Sequence, residues 1–159
     1  MAMQNSTLTQ DQIKSLFDYK DGNLYRKTNG KLSASKNVDG YTRSFVNGKN
    51  YYNHRLIFLM HYGYMPKQLD HIDGNPDNNR IKNLREANYI ENNRNKKISN
   101  NNKSGYKNVF YNKDINKWAV QFSLQRKIKT IGYFKDLELA GLVAEMAREK
   151  YHGNFARHK

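Results

Sequence analysis

The sequence predicts an α+β fold in two successive parts that are joined by a basic linker. Short apolar segments on either side of Asp-Gly and Asn-Gly dipeptides predict β-hairpins in the first part. In the second part, the strictly alternating segment 117–124 precedes an amphipathic helix, which predicts a sheet packed on one helix. Between them, 94–104 is polar, cationic and without helical or strand periodicity beyond its first turn. We therefore expect a first domain over 1–93 and a second over 105–159.

The composition favours a nucleic-acid partner. The 159 residues include 28 Lys and Arg against 14 Asp and Glu, a net charge of +14. Such an excess is self-repelling and favours a polyanion, with an anionic membrane surface as the lesser alternative. The absence of cysteine excludes disulfides, a thiol nucleophile and zinc sites built from cysteine pairs. Because the sequence has neither a long apolar stretch nor a signal-peptide pattern, we expect a soluble intracellular protein.

Local signals predict the elements of the first domain. Thr9 and Gln12 form a capping-box pattern ahead of apolar residues at helical spacing, which predicts a short helix. The two Gly-containing dipeptides supply the positive φ angles that tight turns require, so each predicts a hairpin. Apolar residues at helical spacing over 54–62 predict a second helix, and Gly63 ends it.

The second domain is expected to be a three-stranded antiparallel sheet on one helix. Segments 106–111 and 127–134 read as strands on either side of the central one, and small apolar residues at helical spacing follow Asp136. Trp118 shares its face with Val120 and Phe122, so we expect it in the core. The opposite face of the central strand carries Lys117, Ala119, Gln121 and Ser123. That face is free to meet a partner.

The densest group of candidate site residues lies at the end of the first domain. Gly, Pro, Asn and Asp crowd the interval 73–79, which predicts a loop. We expect a short strand near Leu69 before this loop, a second strand near Leu84 after it, and then a helix from Ala87. A strand, loop, strand and helix in this order bring residues of the first strand close to the helix.

Asp70, His71 and Asn92 are the residues that this order brings together. Carboxylate and amide oxygens are hard ligands suited to Mg²⁺, and an imidazole beside them can take a proton from water. Together they form the parts of a phosphodiesterase that uses one metal ion.

Three segments resemble the HNH endonuclease motif in the form found in phage-borne homing endonucleases. They are Asp70–Asn75, Asn79–Arg85 and Glu91–Asn95. The resemblance implies a ββα-metal core over about 67–95, preceded by the helix and hairpins. It implies that His71 is the general base, that Asp70 and Asn92 bind the metal, and that Asn83 anchors the loop. Asn92 stands where the founding pattern has His, which favours Mg²⁺ or Mn²⁺ over zinc.

A second resemblance covers the second domain. Ser104–Val109, Lys117–Val120, Ile131–Phe134 and Leu139–Ala156 are similar to an APETALA2-type DNA-binding domain, which often follows the nuclease motif in phage HNH endonucleases. This implies that the sheet enters the major groove. The candidate DNA-reading residues are Lys117, Gln121, Ser123, Asn112, Arg126 and Thr130. A solvated strand face remains the alternative for each of them.

Two further expectations concern the linker and one histidine. Lys96 and Lys97 make the linker a candidate basic segment that follows DNA phosphates, with a plain solvated tether as the alternative. His54 fits the segment that leads into the motif in HNH proteins. We expect it to be a structural histidine that packs the helix.

The sequence thus predicts a site-specific, homing-type DNA endonuclease that hydrolyses a phosphodiester bond in duplex DNA with one divalent metal and a histidine base. Its expected partner is double-stranded DNA, without a membrane or a small-molecule cofactor, and it acts as a monomer or homodimer in the cytoplasm of a phage-infected bacterium. Two alternatives stay open: a DNA-binding regulator that kept the scaffold without catalysis, and a non-specific nuclease acting on RNA or on any DNA.

Overall fold

We obtained a computed structural model of the chain, and the structure describes residues 8–124 and 127–157. These residues form two compact units that divide between Tyr89 and Ile90. Helix α3 (Tyr89–Arg94) begins at this division, a few residues before the domain boundary predicted from the sequence. No helix in the described ranges is long and apolar enough to cross a bilayer.

The described part of the first unit contains two α-helices, seven short strands and a short 3-10 helix over Ile81–Asn83. The α-helices and strands are α1 (Gln10–Leu16), β1 (Phe17–Lys20), β2 (Asn23–Arg26), β3 (Ser35–Lys36), β4 (Thr42–Val46), β5 (Lys49–Tyr52), α2 (Asn53–Tyr62), β6 (Leu69–His71) and β7 (Leu84–Glu86). The strands pair antiparallel as β1–β2, β3–β4–β5 and β6–β7. One apolar core, built largely from α1, α2 and the strands beside them, holds these small sheets together.

Short-range chemistry sets the ends of these elements. The Thr9 hydroxyl accepts a hydrogen bond from the backbone N–H of Gln12, and the Gln12 side chain accepts one from the N–H of Thr9, which together cap α1. Asn47 turns the β4–β5 hairpin with a φ of 47°, which asparagine tolerates better than most residues. Gly63 ends α2 in the left-handed conformation, with a φ of 80°.

Gly22, in the β1–β2 turn, packs directly against the backbone of the loop between β6 and β7. Its φ is +88°, and a Cβ placed on it would lie 2.8 Å from the backbone nitrogen of Arg80 and 3.0 Å from the carbonyl carbon of Asn79. Backbone atoms cannot move away as a flexible side chain can. Glycine is therefore required both by the conformation of the turn and by the close approach of the second loop.

Replacing Gly22 with alanine should lower the free energy of unfolding of the first unit by about 2–4 kcal/mol, from the positive φ together with the clash. Gly30→Ala is the matched control, since Gly30 also has a positive φ but open space around its Cα. It should cost only about 1 kcal/mol. Urea unfolding followed by circular dichroism measures both, and equal losses in the two variants would contradict the close approach.

The second unit contains three strands and a long helix in its described residues. They are β8 (Val109–Asn112), β9 (Lys117–Leu124), β10 (Lys127–Phe134) and α4 (Leu137–His152). The sheet has β9 at its centre, antiparallel to both neighbours. The carboxylate of Asp136 begins α4 by accepting a hydrogen bond from the N–H of Leu139 at 2.6 Å.

Helix α4 lies on one face of this sheet. Its buried Ala140, Ala144 and Ala147 pack on Val120 and Phe122. Small side chains allow the helix backbone to approach the sheet closely, as the spacing of alanines predicts.

Strand β8 starts later than the predicted 106–111 segment. The buried hydroxyl of Ser104 lies 2.8 Å from the carbonyl oxygen of Val109 and 2.9 Å from that of Tyr106. These contacts hold the preceding residues in a turn. The strand therefore begins at Val109.

Candidate functional site

The β6–β7 hairpin holds the adjacent residues Asp70 and His71. Both are buried, with 5% of each residue exposed. In the register of the hairpin, Asp70 lies opposite Arg85 and His71 lies opposite Leu84. A carboxylate and an imidazole withdrawn from water in this way must be compensated by the side chains around them.

Arg85 forms an ion pair with the buried side chain of Asp70. Its Nε and Nη2 both donate hydrogen bonds to Oδ2 of Asp70, at 2.9 Å and 2.8 Å. The pair is well shielded from water, with 17% of the Arg85 side chain and 6% of the Asp70 side chain exposed. Arg85 therefore fixes the orientation of the carboxylate.

Asn79 orients His71. Nε2 of His71 lies 2.9 Å from the side-chain oxygen of Asn79, and Nδ2 of Asn79 donates a hydrogen bond to the Thr42 hydroxyl at 3.2 Å. Because an amide oxygen can only accept, Nε2 of the neutral imidazole carries the hydrogen in this arrangement. The lone pair is then on Nδ1, which is the nitrogen able to accept a proton.

Asn83 fastens the loop between the two strands of the hairpin. Its amide nitrogen donates to Oδ1 of Asp73 at 2.9 Å and to the carbonyl oxygen of Asn78 at 2.7 Å, and its side-chain oxygen accepts from the N–H of Asp73 at 3.1 Å. This is the place that the sequence resemblance assigns to a loop anchor. The loop is held at both ends by one side chain, so the backbone around Asn79 is fixed as well.

The same network acts on the carboxyl group of Asp73. Desolvation raises its pKa, but hydrogen bonds from the backbone of Asn75 and from the side chains of Asn78 and Asn83 outweigh that effect, and the pKa lies below its ordinary value. Asp73 is thus an ionised structural acceptor at neutral pH.

His54 lies directly against His71. Their ring centroids are 5.2 Å apart, and the rings of Tyr41 and Tyr52 lie 5.2 Å and 5.4 Å from His54. Burial first, and then the proximity of His71 and Arg55, lower the pKa of His54 to about 3. The neutral ring of His54 therefore packs against His71, the candidate base.

His54 should make the first unit sensitive to acid. Its folded-state pKa of about 3 lies below the ordinary 6.5, so the unfolded chain binds the proton first. The stabilising contribution is complete above pH 6.5 and is lost as the pH falls toward 3, at about 1.4 kcal/mol per pH unit. Urea unfolding at several pH values should show that the free energy of unfolding falls less steeply with decreasing pH in His54→Phe than in the wild type. Equal slopes in wild type and His54→Phe would contradict this assignment.

The structure gathers Asp70, His71 and Asn83 in one hairpin and its loop, whereas Asn92 lies on α3 beyond the division between the units. Among the described residues, no group of three His, Cys, Asp or Glu side chains could hold a metal ion. A cation here would therefore rely on one carboxylate together with neutral oxygen donors and water. Mg²⁺ is often bound by one or two carboxylates with waters and substrate phosphates, so this donor set fits it.

The second unit presents its candidate residues on the sheet face opposite α4. The cross-strand register groups Lys117 with Asn112 and Gln121 with Thr130. The amide nitrogen of Gln121 donates to the Thr130 hydroxyl at 3.0 Å. Ser123 is exposed on the same face, whereas Arg126 lies outside the described residues.

The segment after α3 is exposed at Lys96 and Lys97. Its backbone is attached to the second unit, since the Lys107 ammonium donates to the carbonyl oxygen of Lys96. Burial, and then the nearby Arg157 and Arg148, lower the pKa of Lys107 to about 8. Lys107 is therefore a partly buried structural cation, whereas Lys96 and Lys97 keep their side chains in solvent.

Three residues of the site were not assigned roles from the sequence. Asn79 and Arg85 both lie in the segments that carry the HNH resemblance, so their presence in the motif was an available signal. Tyr41 gave no signal, because it lies in a strand-rich region without a motif. Its ring centroid is 5.8 Å from that of His71.

Comparisons with known proteins match this region. The HNH endonuclease family matches residues 51–94, a range that includes Asp70, His71, Asn83 and Asn92. Protein 3.8 of Escherichia phage T7 is 36% identical over 99 residues, which cover 60% of this chain and 79% of that protein. A solved structure on DNA binding and cleavage by the HNH homing endonuclease I-HmuI is 37% identical, with a TM-score of 0.35. That similarity covers 40% of this chain and 41% of the solved one.

Proposed function

This chain belongs to the same family as Protein 3.8 of Escherichia phage T7 and contains an HNH endonuclease domain, and from this premise we propose that it is a site-specific endonuclease acting on duplex DNA. The observation that carries the proposal is the buried Asp70–His71 pair, in which Asn79 holds Nε2 of the His71 ring. The phage relative supports a place of action in the cytoplasm of an infected bacterium.

His71 is the general base of the proposed reaction. Nδ1 takes a proton from water as the water oxygen attacks phosphorus in line with the 3′ oxygen. The bond between phosphorus and the 3′ oxygen breaks, and the departing oxygen takes a proton from solvent. The products are a 5′-phosphate end and a 3′-hydroxyl end. Asn79 stays bound to Nε2 throughout, so the ring does not rotate as it gains the proton.

Asp70 and Asn92 would hold the divalent cation, Mg²⁺ or Mn²⁺. When bound, such an ion supplies Lewis-acid stabilisation of negative charge on the phosphate and on the leaving oxygen. Arg85 orients the carboxylate of Asp70 through its ion pair.

We assign DNA binding to the second unit, including the basic segment that precedes β8. The residues after 93 carry 15 basic and 5 acidic side chains, so most of the excess charge lies there. The proposed contacts of an APETALA2-like sheet are Lys117, Gln121, Ser123, Asn112, Thr130 and, outside the described residues, Arg126. Lys96 and Lys97 would follow the phosphates. One such active site cuts one strand, so a double-strand break needs a homodimer or a second visit.

A cleavage assay on supercoiled phage and plasmid DNA with Mg²⁺ tests the proposal. Discrete products that map to defined positions are expected. A smear without preferred positions would replace the proposal with a non-specific nuclease. Intact DNA together with tight, salt-sensitive binding would replace it with a DNA-binding regulator.

The role of Asn79 can be tested separately. Asn79→Ala removes the acceptor from Nε2 and should reduce kcat by about 10- to 100-fold, as loss of an orienting partner does at other sites. Asn79→Asp keeps the acceptor but adds a negative charge that favours imidazolium. Its activity should be largely retained at high pH, and the acidic limb of its pH–rate profile should move to higher pH.

A purely structural role for Asn79 would give a different result. Both variants would then lose stability in thermal unfolding, and their pH–rate profiles would coincide with that of the wild type.

A further inference from the structure

The free face of the second-unit sheet, opposite α4, contains an apolar row that runs across all three strands. In the register of the sheet, Ala119 of β9 lies directly between Phe110 of β8 and Tyr133 of β10. Direct partners in antiparallel strands project from the same face, so these three side chains are neighbours. We call Phe110, Ala119 and Tyr133 the apolar row.

The alanine of this row is buried, whereas the two aromatic residues beside it in the register are open to solvent. Ala119 is 0% exposed although it points away from the helix, whereas Phe110 is 43% exposed and Tyr133 is 47% exposed. Ile128, which pairs with Ser123 on the same face, is 75% exposed. Apolar side chains gathered on a free sheet face favour a partner that removes them from water.

The charge of this unit indicates what the partner is. After residue 93, basic side chains outnumber acidic ones by 15 to 5. Lys117 stands on the free face, whereas Lys127 and Lys129 pair with Leu124 and Phe122 and project from the α4 side of the sheet. The net positive charge of the unit, together with Lys117 on this face, favours a polyanion over an apolar protein surface. A twisted three-stranded sheet also fits the major groove of duplex DNA.

Within the major groove, the 5-methyl group of thymine is the apolar group that a base edge presents. Phenylalanine and alanine side chains are suited to contact it. Gln121, one row further along the face, carries an amide of the kind that pairs with adenine. Among the described residues of this face Lys117 is the one cation, so few groups suited to guanine are present.

We propose that the apolar row binds thymine methyl groups in the major groove, so that the chain prefers duplex DNA with thymine at the positions facing Phe110 and Tyr133. This inference rests on the proposed function, because it requires that the sheet bind DNA. It adds a chemical class of target: a 5-methylated pyrimidine, which distinguishes DNA from uracil-containing nucleic acid.

The test replaces thymine with uracil, which removes the methyl group and leaves base pairing unchanged. Duplexes selected from a random pool by the full-length wild-type chain, in EDTA to prevent cleavage, are remade with uracil. Fluorescence anisotropy should give a Kd about 3- to 10-fold higher for the uracil duplex, the loss expected for one or two buried methyl groups. In Phe110→Ala and Tyr133→Ala the ratio of the two Kd values should approach one.

Met146→Ala is the matched control. Met146 is a large apolar residue of the same unit, 62% exposed, on α4 rather than on the free face of the sheet. It should keep the wild-type ratio. Because the main comparison changes only the DNA, it does not depend on the folding of any variant.

The outcomes separate this inference from the proposed function. Equal affinity of the wild type for thymine and uracil duplexes overturns the inference and leaves DNA binding intact. A ratio that persists in both aromatic variants also overturns it, since the methyl group would then be read elsewhere. Failure of the wild type to bind any duplex at low salt overturns the proposed function together with the inference.

Discussion

Substitution of His71 by alanine should reduce the rate of DNA cleavage by about 10²- to 10⁴-fold, the range that a positioned general base supplies. In the structure His71 is buried and its Nε2 is held by Asn79. The neighbouring His54 is a poor substitute in the alanine variant, because burial lowers its pKa to about 3 and makes it a weak base. Single-turnover cleavage, with the protein in saturating excess over the duplex, measures the chemical step without the contribution of product release.

The control for this substitution is His61→Ala. His61 lies on α2, where its ring bonds to the carbonyl oxygen of Ile57, outside the hairpin that carries the site. It should cleave at the wild-type rate. Affinity for DNA should be unchanged in both variants. A His71→Ala protein that cleaves at the wild-type rate would remove His71 from the mechanism.

Removal of the divalent metal should have an effect of similar size. Chelation with EDTA should lower cleavage by about 10³-fold or more, because charge stabilisation by a metal ion supplies several kcal/mol in the transition state. Asp70→Asn should reproduce this loss in the presence of Mg²⁺. The asparagine keeps the volume and an acceptor for Arg85, but it lacks the charge that binds a cation.

Metal binding provides a readout that is independent of activity. Titration with Mn²⁺, followed by its electron paramagnetic resonance signal, should show weaker binding to Asp70→Asn than to the wild type. Asp77→Asn is the matched control, since Asp77 is a carboxylate of the same loop that pairs with Lys36 at the surface. Undiminished cleavage in EDTA would refute the metal requirement.

The local elements of this fold are predictable from the sequence because their signals act over a few residues. Thr9 with Gln12 marks the start of α1, and Gly63 marks the end of α2, since a cap or a positive φ depends on the backbone beside it. The alternation in 117–124 likewise reveals which side chains share a face of β9. Strand β8 was less well placed, because the contacts of Ser104 that delay its start follow no periodic pattern.

The candidate site was predictable in its residue types but not in its contacts. The segment around Asp70 and His71 gives the hairpin and the chemistry of the two side chains. It does not indicate that Asn79 fixes the imidazole or that Arg85 engages the carboxylate, since those contacts depend on the path of the loop and the register of the strands.

The sequence by itself therefore determined the adjacent pair Asp70–His71, the caps and turns, and the excess of positive charge after residue 93. Only the tertiary structure decided that His54 lies against His71, and that Phe110, Ala119 and Tyr133 form one row. The physical reason is the distance along the sequence over which each interaction acts. Caps and turns are set by neighbouring residues, whereas ring packing and cross-strand rows arise only when distant segments are brought into register by burial of a shared core.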